Sequence, residues 1–436
     1  MSAAPSAERD LNAVCSCITL DRSQLKTILD HNLGDPALAT ELLSATPNLF
    51  SDRPMFLPRA EVRAMQAVVE VIVEVTSTPA FLLAVMAHAP DIARPDHGPT
   101  GAFLGFDFHI APDGPKLIEI NTNAGGGFLN AALADAQRSC CHATRPDLLL
   151  TPDNFEQKVV KMFRSEWRLQ RSVGEPKTIA IVDENPASQF LFPEFLIAQE
   201  LFRRRGIEAV ICDPGDFEFD GAALKVNGRT VDLVYNRLVD FSFEAPRNAA
   251  LRQAYVSGAT VVTPNPRNHA VFADKRNLVL LSDEGTLRKM GLTDPEVRIL
   301  TRSIPKTVIV DSANAEELWR ERRRYFFKPV AGHGSKAVYR GDKLTKAVWD
   351  QILKNDYVAQ GLVPPSTRTV FIDGTPVERK VDVRLYTYGS EVLAVAARLY
   401  QGQTTNMRTP GGGFAPVFVV EAANASRRTE DSNCRE

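Results

Sequence analysis

The stretch Phe106-Asp-Phe-His-Ile-Ala-Pro-Asp-Gly-Pro-Lys-Leu-Ile-Glu-Ile-Asn121 reads as a β-hairpin that gathers acidic and amide oxygens on one face. Two alternating runs flank the turn signal Ala111-Pro-Asp-Gly-Pro115. A turn symmetric about Asp113 sets Asp107 opposite Glu119. The period of two then puts His109, Leu117 and Asn121 on that face, and Phe106, Phe108, Ile110, Ile118 and Ile120 on the other. Like charges opposed across a ladder repel unless a hard cation lies between them. Two carboxylates with a neighbouring amide oxygen suit magnesium bridging substrate phosphates. An ordinary amphipathic hairpin with a solvated polar face accounts for the same pattern, and the hairpin alone does not choose between the two.

Working outward, a length of 436 residues exceeds the ~250–300 at which a single core stops growing, so two or more subdomains are expected. Lys plus Arg (51) nearly balance Asp plus Glu (53), which leaves no global basic field for nucleic acid or an anionic membrane. Any phosphate binding must be local. The N-terminal residues lack the basic-then-apolar pattern of a secretion signal, and no apolar run approaches the ~20 residues of a membrane span, so a cytoplasmic protein is expected. Cys15 with Cys17, and Cys140-Cys141-His142, lack the spacing of structural zinc sites and read as small hydrophobes. Cys212 ends an apolar strand and reads as core.

The spacing predicts an N-terminal helical region over 1–98, with apolar residues at helical intervals from Val62 to Glu74 and from Phe81 to His88, broken near Ser77-Thr-Pro79. The metal-binding hairpin and a following helix through Cys141 occupy 99–150. A Rossmann-like unit over 176–245 runs Thr178-Ile-Ala-Ile-Val-Asp183, a helix from Pro193 to Arg205 stopped by Gly206, then Ile207-Glu-Ala-Val-Ile-Cys212. Asn227-Gly228 marks a two-residue hairpin turn. Strands, helices and glycine-rich loops alternate over 246–420, and the polar tail 421–436 reads as disordered.

A second chemical feature is Tyr325-Phe-Phe-Lys-Pro-Val-Ala-Gly-His-Gly-Ser-Lys-Ala-Val-Tyr339. An apolar strand delivers Lys328, the loop Gly332-His-Gly-Ser335 follows, and Lys336 opens the next strand. Glycines 332 and 334 let backbone N–H groups approach an anion, and two lysines suit a polyphosphate. The frame is neither a P-loop nor a dinucleotide fingerprint, and a plain hairpin with a glycine turn also fits. Asp356-Tyr-Val-Ala-Gln-Gly-Leu362 reads as an edge strand whose backbone can pair with an adenine edge. Lys380, Asp382 and Arg384 share one face of a strand, and Arg398 interrupts the apolar run Val392–Leu399, where a cation is costly unless it meets an anion. Asn406 and Arg408 follow in a loop ending in three glycines.

Together and in order, these segments resemble the ATP-grasp superfamily, in which two α+β lobes clamp ATP between their sheets. Because the acidic hairpin precedes the lysine strand, the chain looks like a circularly permuted member, most similar to the synthetase domain of glutathionylspermidine synthase over roughly residues 100 to 420. The resemblance implies an α+β fold with a Rossmann-like subdomain before the ATP-binding lobes. It implies magnesium at Asp107, Glu119 and Asn121; ATP phosphates at Lys275, Lys328 and Lys336 with the Gly332 and Gly334 loop; an adenine hinge at Gln360 and Leu362; and catalytic roles for Arg384, Arg398 and Asn406. Arg237, and Asp183 with its neighbours, become candidates for holding substrate at strand ends, with Asp240 also available. The family's arginine two residues before the hairpin aspartate is Gly105 here, and its Ala-Asp-Thr-Pro-Thr is Thr122-Asn-Ala-Gly-Gly-Gly. Both departures fall on the acceptor side, so the resemblance does not carry glutathione and spermidine over as substrates.

The implied chemistry is amide formation between a small-molecule carboxylate and an amine, through an acyl phosphate made from ATP. No nucleophilic Ser or Cys is required; His109 and His333 are the histidines nearest the chemistry. Two other classes stay open: a nucleotide-binding regulatory protein without turnover, which the Gly105 departure fits, and a polyamine- or peptide-binding module without ATP, which leaves the lysines unexplained.

Overall fold

The computed structural model describes residues 7–15, 19–138, 147–148, 152–332 and 337–420. The expectations placed on Cys17, Cys140, Cys141, His142, His333, Gly334, Lys336 and the tail from 421 lie outside the described residues. Helices dominate the N-terminal region: α1 (Ala7–Val14), α2 (Arg22–Leu33), α3 (Pro36–Ala45), α4 (Arg59–Thr76) and α5 (Pro79–Met86). The break at Ser77-Thr-Pro79 has a local cause. Thr78 accepts a hydrogen bond from the Phe81 N–H, and Pro79 takes the first helical position, where its missing N–H costs nothing. Besides the two-residue strand Thr19–Leu20, the strand β1 (Met55–Pro58) lies inside this region; four residues are too few for either period to show. No single helix among the described residues is long and apolar enough to cross a membrane, and the bent pair α4 and α5 buries Val62, Met65, Val68, Ile72, Phe81 and Val85 in the core while Leu83 stays exposed.

The elements that position the site are β2 (Leu104–Ala111), β3 (Gly114–Asn121), α6 (Gly127–Ala136), β4 (Thr178–Val182), α7 (Phe192–Arg204), β5 (Glu208–Cys212), β6 (Leu233–Asn236), β7 (Val261–Thr263), β8 (Thr307–Ile309), β9 (Tyr325–Pro329), β10 (Tyr339–Arg340), β11 (Tyr357–Gly361), β12 (Ser366–Ile372), β13 (Thr375–Tyr388), β14 (Glu391–Tyr400) and β15 (Gly413–Val420). A large, mostly antiparallel sheet runs β1-β15-β14-β13-β2-β3, with β12 also on β13. A four-stranded sheet, β8-β11-β9-β10, forms the second lobe, and a parallel sheet, β7-β6-β4-β5, carries the Rossmann-like unit. Helix α6 ends at Ala136, short of the expected Cys141. Asn227 and Gly228, at φ 51° and 73°, make the expected hairpin turn.

The hairpin pairs Asp107 with Glu119 as its turn chemistry implies, by a different route. The turn closes on Ala111 and Gly114, which offsets the register by one, and a bulge at Ile118 restores it before Glu119. Leu117 therefore joins Phe106, Phe108 and Ile120 in the core against Val62, Met65 and Ile72 of α4, while Ile118 turns to the polar side. This reverses the faces expected for these two residues. Burial of Leu117 is worth about 1.5–3 kcal/mol and favours the bulge over an unbroken ladder. Segment Tyr357–Gly361 is also not an edge strand: β11 lies between β8 and β9, paired on both sides. Cys212 is buried, as expected.

Candidate active site

Register brings the charges together. In the large sheet Asp107 of β2 faces Glu119 on one side and Arg384 of β13 on the other, and Asp382 faces Arg398 of β14. Arg384 grips Asp107 with two bonds, Nε to Oδ1 at 2.6 Å and Nη2 to Oδ2 at 2.7 Å. Arg398 bridges two carboxylates, donating Nη2 to Asp107 at 2.8 Å and Nε to Asp382 at 2.6 Å. Thr405 donates to the other Asp382 oxygen, and Asn121 donates Nδ2 to Asp107 at 3.1 Å. Burial alone would raise Asp107; Arg384 and Arg398 overcome it and hold the carboxyl down at about 2. Burial likewise opposes the charge on Arg398, and Asp107 and Asp382 more than restore it.

The second lobe supplies lysines. Strand β9 delivers Lys328, whose Nζ donates to Gln360 Oε1 at 2.7 Å and to the Ile118 carbonyl at 3.0 Å. That carbonyl belongs to the bulge residue, so the bulge connects the hairpin to the lobe above it. Lys275, after a π-helical turn His269–Ala273, reaches Glu119 at 3.1 Å and the Gly332 carbonyl at 3.2 Å. Burial pushes Lys328 down to about 8 despite the nearby Glu119. Burial works to raise Glu119, and Lys275 and Lys328 outweigh it, so its carboxyl is lowered. The cleft between the lobes holds Asp107, Glu119, Lys275, Lys328, Gln360, Asp382 and Arg398, with Phe326, Val338 and Val363 as apolar walls.

Three sequence candidates, Leu362, Asn406 and Asp240, stand differently from expectation. Gln360 is buried and lines the cleft, its Nε2 without a hydrogen-bond partner among the described residues, but Leu362 donates its N–H to the Arg324 carbonyl and does not line the cleft. Asn406 is exposed, spent on Gln401, Arg408 and Thr409 within its own loop; Thr404 and Thr405 reach the cleft instead. Asp240 accepts from the Ala245 N–H and the Asn248 amide, so its Oδ2 is occupied locally. At Gly105 a Cβ would come to 2.5 Å from the Ala124 Cβ and 3.3 Å from Arg384 Nε. No arginine fits there, and the guanidinium beside it is that of Arg384.

His109 lines the cleft with Nδ1 bonded to the Val363 carbonyl at 2.8 Å, joining the hairpin to the strand exit. Arg237 and Asp183 are buried together at the ends of β6 and β4. Sequence reading missed Asp382 as the second anchor of Arg398, although its position two residues before Arg384 was the available signal. It also missed Glu194 of α7, which accepts from the N–H groups of Gly126 and Phe128 and so caps α6; no sequence pattern pointed to that pairing.

No protein-family model matches the sequence, and no curated protein matches it. Among solved structures, a glutathione synthetase-like effector from Globodera pallida, in apo form, aligns over 92% of this chain and 97% of its own at 12% identity, with a TM-score of 0.55. The chain shares the fold of that effector. A putative gamma-glutamylcysteine synthetase from Methylobacillus flagellatus aligns over 82% and 91% at 12% identity and a TM-score of 0.48. The ATP-grasp ligase PsnB, complexed with minimal precursor, Mg and ADP, aligns over 57% and 90% at 16% identity and a TM-score of 0.28. The fold rests on the first of these.

Proposed function

We propose that the protein is an ATP- and magnesium-dependent carboxylate–amine ligase, with the permuted, glutathionylspermidine synthase-like order of elements and a different substrate. The observation that carries this reading is the meeting in one cleft of Lys275, Lys328 and Arg398 with the carboxylates Asp107, Glu119 and Asp382, with Arg384 holding Asp107 from behind the lining. Three cations line the cleft against three carboxylates, and Arg384 behind Asp107 adds a fourth positive charge, a balance that suits a nucleotide triphosphate bound with magnesium. The partnerless Gln360 Nε2 and the apolar walls beside it suit an adenine.

In this reading Lys275 and Lys328, with Lys336, hold the phosphates. The carboxylates of Asp107 and Glu119 are kept ionised, the state that metal ligation requires, and Asn121 lies beside them. Asp107, Glu119 and Asn121 are the residues that would hold magnesium, with nucleotide phosphates completing its ligands, and the ion would supply charge neutralisation on the transferring group. Arg398 faces that group from the other side, and Arg384, locked on Asp107, fixes its direction. The γ-phosphoryl group passes to a substrate carboxylate with release of ADP. The amine then attacks the acyl carbon, and phosphate leaves as the amide forms. Charge stabilisation and exclusion of water do the work; no protein nucleophile is needed.

A regulatory protein that binds nucleotide without turnover is the second reading, favoured by the closed space at Gly105. Protein incubated with ATP, magnesium and pooled amino acids, peptides and polyamines decides between them. Release of ADP and phosphate that depends on the pool supports the ligase; ATP binding without release supports the regulator.

A further inference from the structure

A second cavity lies behind the wall that carries Lys275. It has a volume of about 460 Å³ and opens between the N-terminal helical region and the second lobe. Neighbouring residues of the same segments face the two spaces. Lys275 lines the cleft, while Asp274 and Arg276 line the second cavity. Pro329 and Gly332 line the cleft, and Val330 between them lines the cavity; Gln360 of β11 lines the cleft, and Asp356 and Tyr357, where that strand begins, line the cavity.

Small side chains keep this space open. Ala84, Ala87 and Ala89, in and just after α5, line it together with Val279, Leu280 and Ile309 of β8, and the Tyr357 ring adds an aromatic wall. Ile309 is left 37% exposed there. Walls of this kind, in a space of this size, suit a small molecule with an apolar body. The polar groups decide its other end. Arg276 is spent: its Nε donates to both oxygens of Asp274, at 3.0 and 3.1 Å, and its Nη2 to Asp274 and to the His88 carbonyl. The Asn277 amide is spent on the Ala270 and Val271 carbonyls, each at 2.8 Å. The Asp356 carboxylate accepts no hydrogen bond among the described residues, so of two carboxylates and one guanidinium it is the charge left over. The carbonyl end of α5, at the same rim, favours a cation as well, and the His88 ring can accept from one.

Two backbone hydrogen bonds connect this rim to the phosphate lysine. The Asp356 carbonyl accepts from the Val330 N–H at 3.0 Å, and the Val330 carbonyl accepts from the Lys275 N–H at 3.2 Å. Lys275 then reaches Glu119 and the Gly332 carbonyl in the cleft. From the same wall the Tyr357 hydroxyl donates to the Ala337 carbonyl at 3.1 Å, just beyond the glycine loop.

We propose that the second cavity is a regulatory site for a small organic cation, an amine with an apolar body, whose ammonium lies at Asp356 and whose occupancy is felt at Lys275. The wall separates it from the cleft, so it acts on nucleotide binding and is not a reactant. Its binding needs nothing of the ligase reading; its effect on the nucleotide rests on that reading.

The test uses the full chain and two matched sets of probes, tryptamine, tryptophol and indole-3-propionate, and heptylamine, heptanol and heptanoate, each titrated by calorimetry. At least one amine binds, up to about fivefold tighter than its alcohol, as a partly exposed ion pair allows, and the acid binds weakest. Asp356→Asn, a change at the surface, brings amine and alcohol together. Ala84→Phe fills the cavity and weakens the whole set at least about tenfold, with circular dichroism checking the fold of both variants. The amine shifts the Mg-ATP dissociation constant by about fivefold or more, and Mg-ATP shifts that of the amine by the same factor, as linkage requires. Absence of amine binding, acid binding as tight as amine, or a preference and affinity unchanged in Asp356→Asn and Ala84→Phe overturns the proposal. Amine binding with an unchanged Mg-ATP constant overturns the regulatory role. Amine binding without any Mg-ATP response leaves the cavity site standing and removes the ligase reading; Mg-ATP binding without amine binding does the reverse.

Discussion

Arg398 and Arg368 are both buried guanidiniums, and the chain treats them in opposite ways. Arg398 is set between two carboxylates, Asp107 and Asp382, and its charge is reinforced. Arg368, only 1% exposed, donates to the carbonyls of Asn12, Pro54, Thr369 and Cys15 and makes no ion pair among the described residues; burial lowers it to about 10. A guanidinium held by neutral carbonyls of the backbone is a clasp, tying α1 and the approach to β1 onto β12. A guanidinium held by carboxylates can turn toward another anion, because its charge and geometry are already matched to one. The difference separates a part of the molecule that maintains the fold from the part to which the proposed ligase reading assigns chemistry.

The comparison breaks if Arg398 proves structural. Arg398→Ala lowers turnover by ~10²-fold or more and leaves ATP affinity near the parent value, since its interaction belongs to the transferring group. An equal loss in affinity, read by calorimetry, would place it with ground-state binding. Lys328→Met weakens ATP binding by about 1.5–3 kcal/mol, the worth of a bond between charged groups; unchanged affinity removes Lys328 from the phosphate site. Arg368→Met, in contrast, costs about 1–3 kcal/mol of stability in denaturant unfolding, because buried carbonyls lose their donor, while activity per folded molecule stays at the parent level.

The smallest effect concerns pH. Burial lowers Lys328 to about 8, so above that pH the free protein carries a neutral amine there. Bound phosphates favour the charged form and raise its pKa again. ATP binding therefore takes up a proton, at most one, near pH 8 to 9 and weakens as pH rises through 8, an effect absent in Lys328→Met. Calorimetry in buffers of different ionisation enthalpy reads the uptake directly.

Much of this was legible in the sequence where local chemistry decides structure. The helix break at Ser77-Thr-Pro79 follows from capping and proline; the opposition of Asp107 and Glu119, expected from a symmetric turn, is reached only through the bulge that corrects the register. The swap of Leu117 and Ile118 was not legible, because a bulge adds one residue without changing composition and only packing against α4 selects it. The grip of Arg384 on Asp107 joins residues 277 positions apart through the pairing of β13 with β2, which no local signal encodes. The same holds for β11, whose interior position depends on β8 arriving beside it. Asn406 shows the opposite failure: a motif residue in the right loop whose side chain turns back into that loop, while its neighbour Thr405 takes the cleft.

The central claim is that a substrate carboxylate is activated by phosphorylation. Its most direct test incubates the protein with ATP, magnesium and a pool of amino acids and peptides whose carboxyl groups carry oxygen-18, and analyses the released phosphate by mass spectrometry. Transfer through an acyl phosphate predicts phosphate bearing a single labelled oxygen, together with ADP. Unlabelled phosphate, or AMP with pyrophosphate, would contradict it.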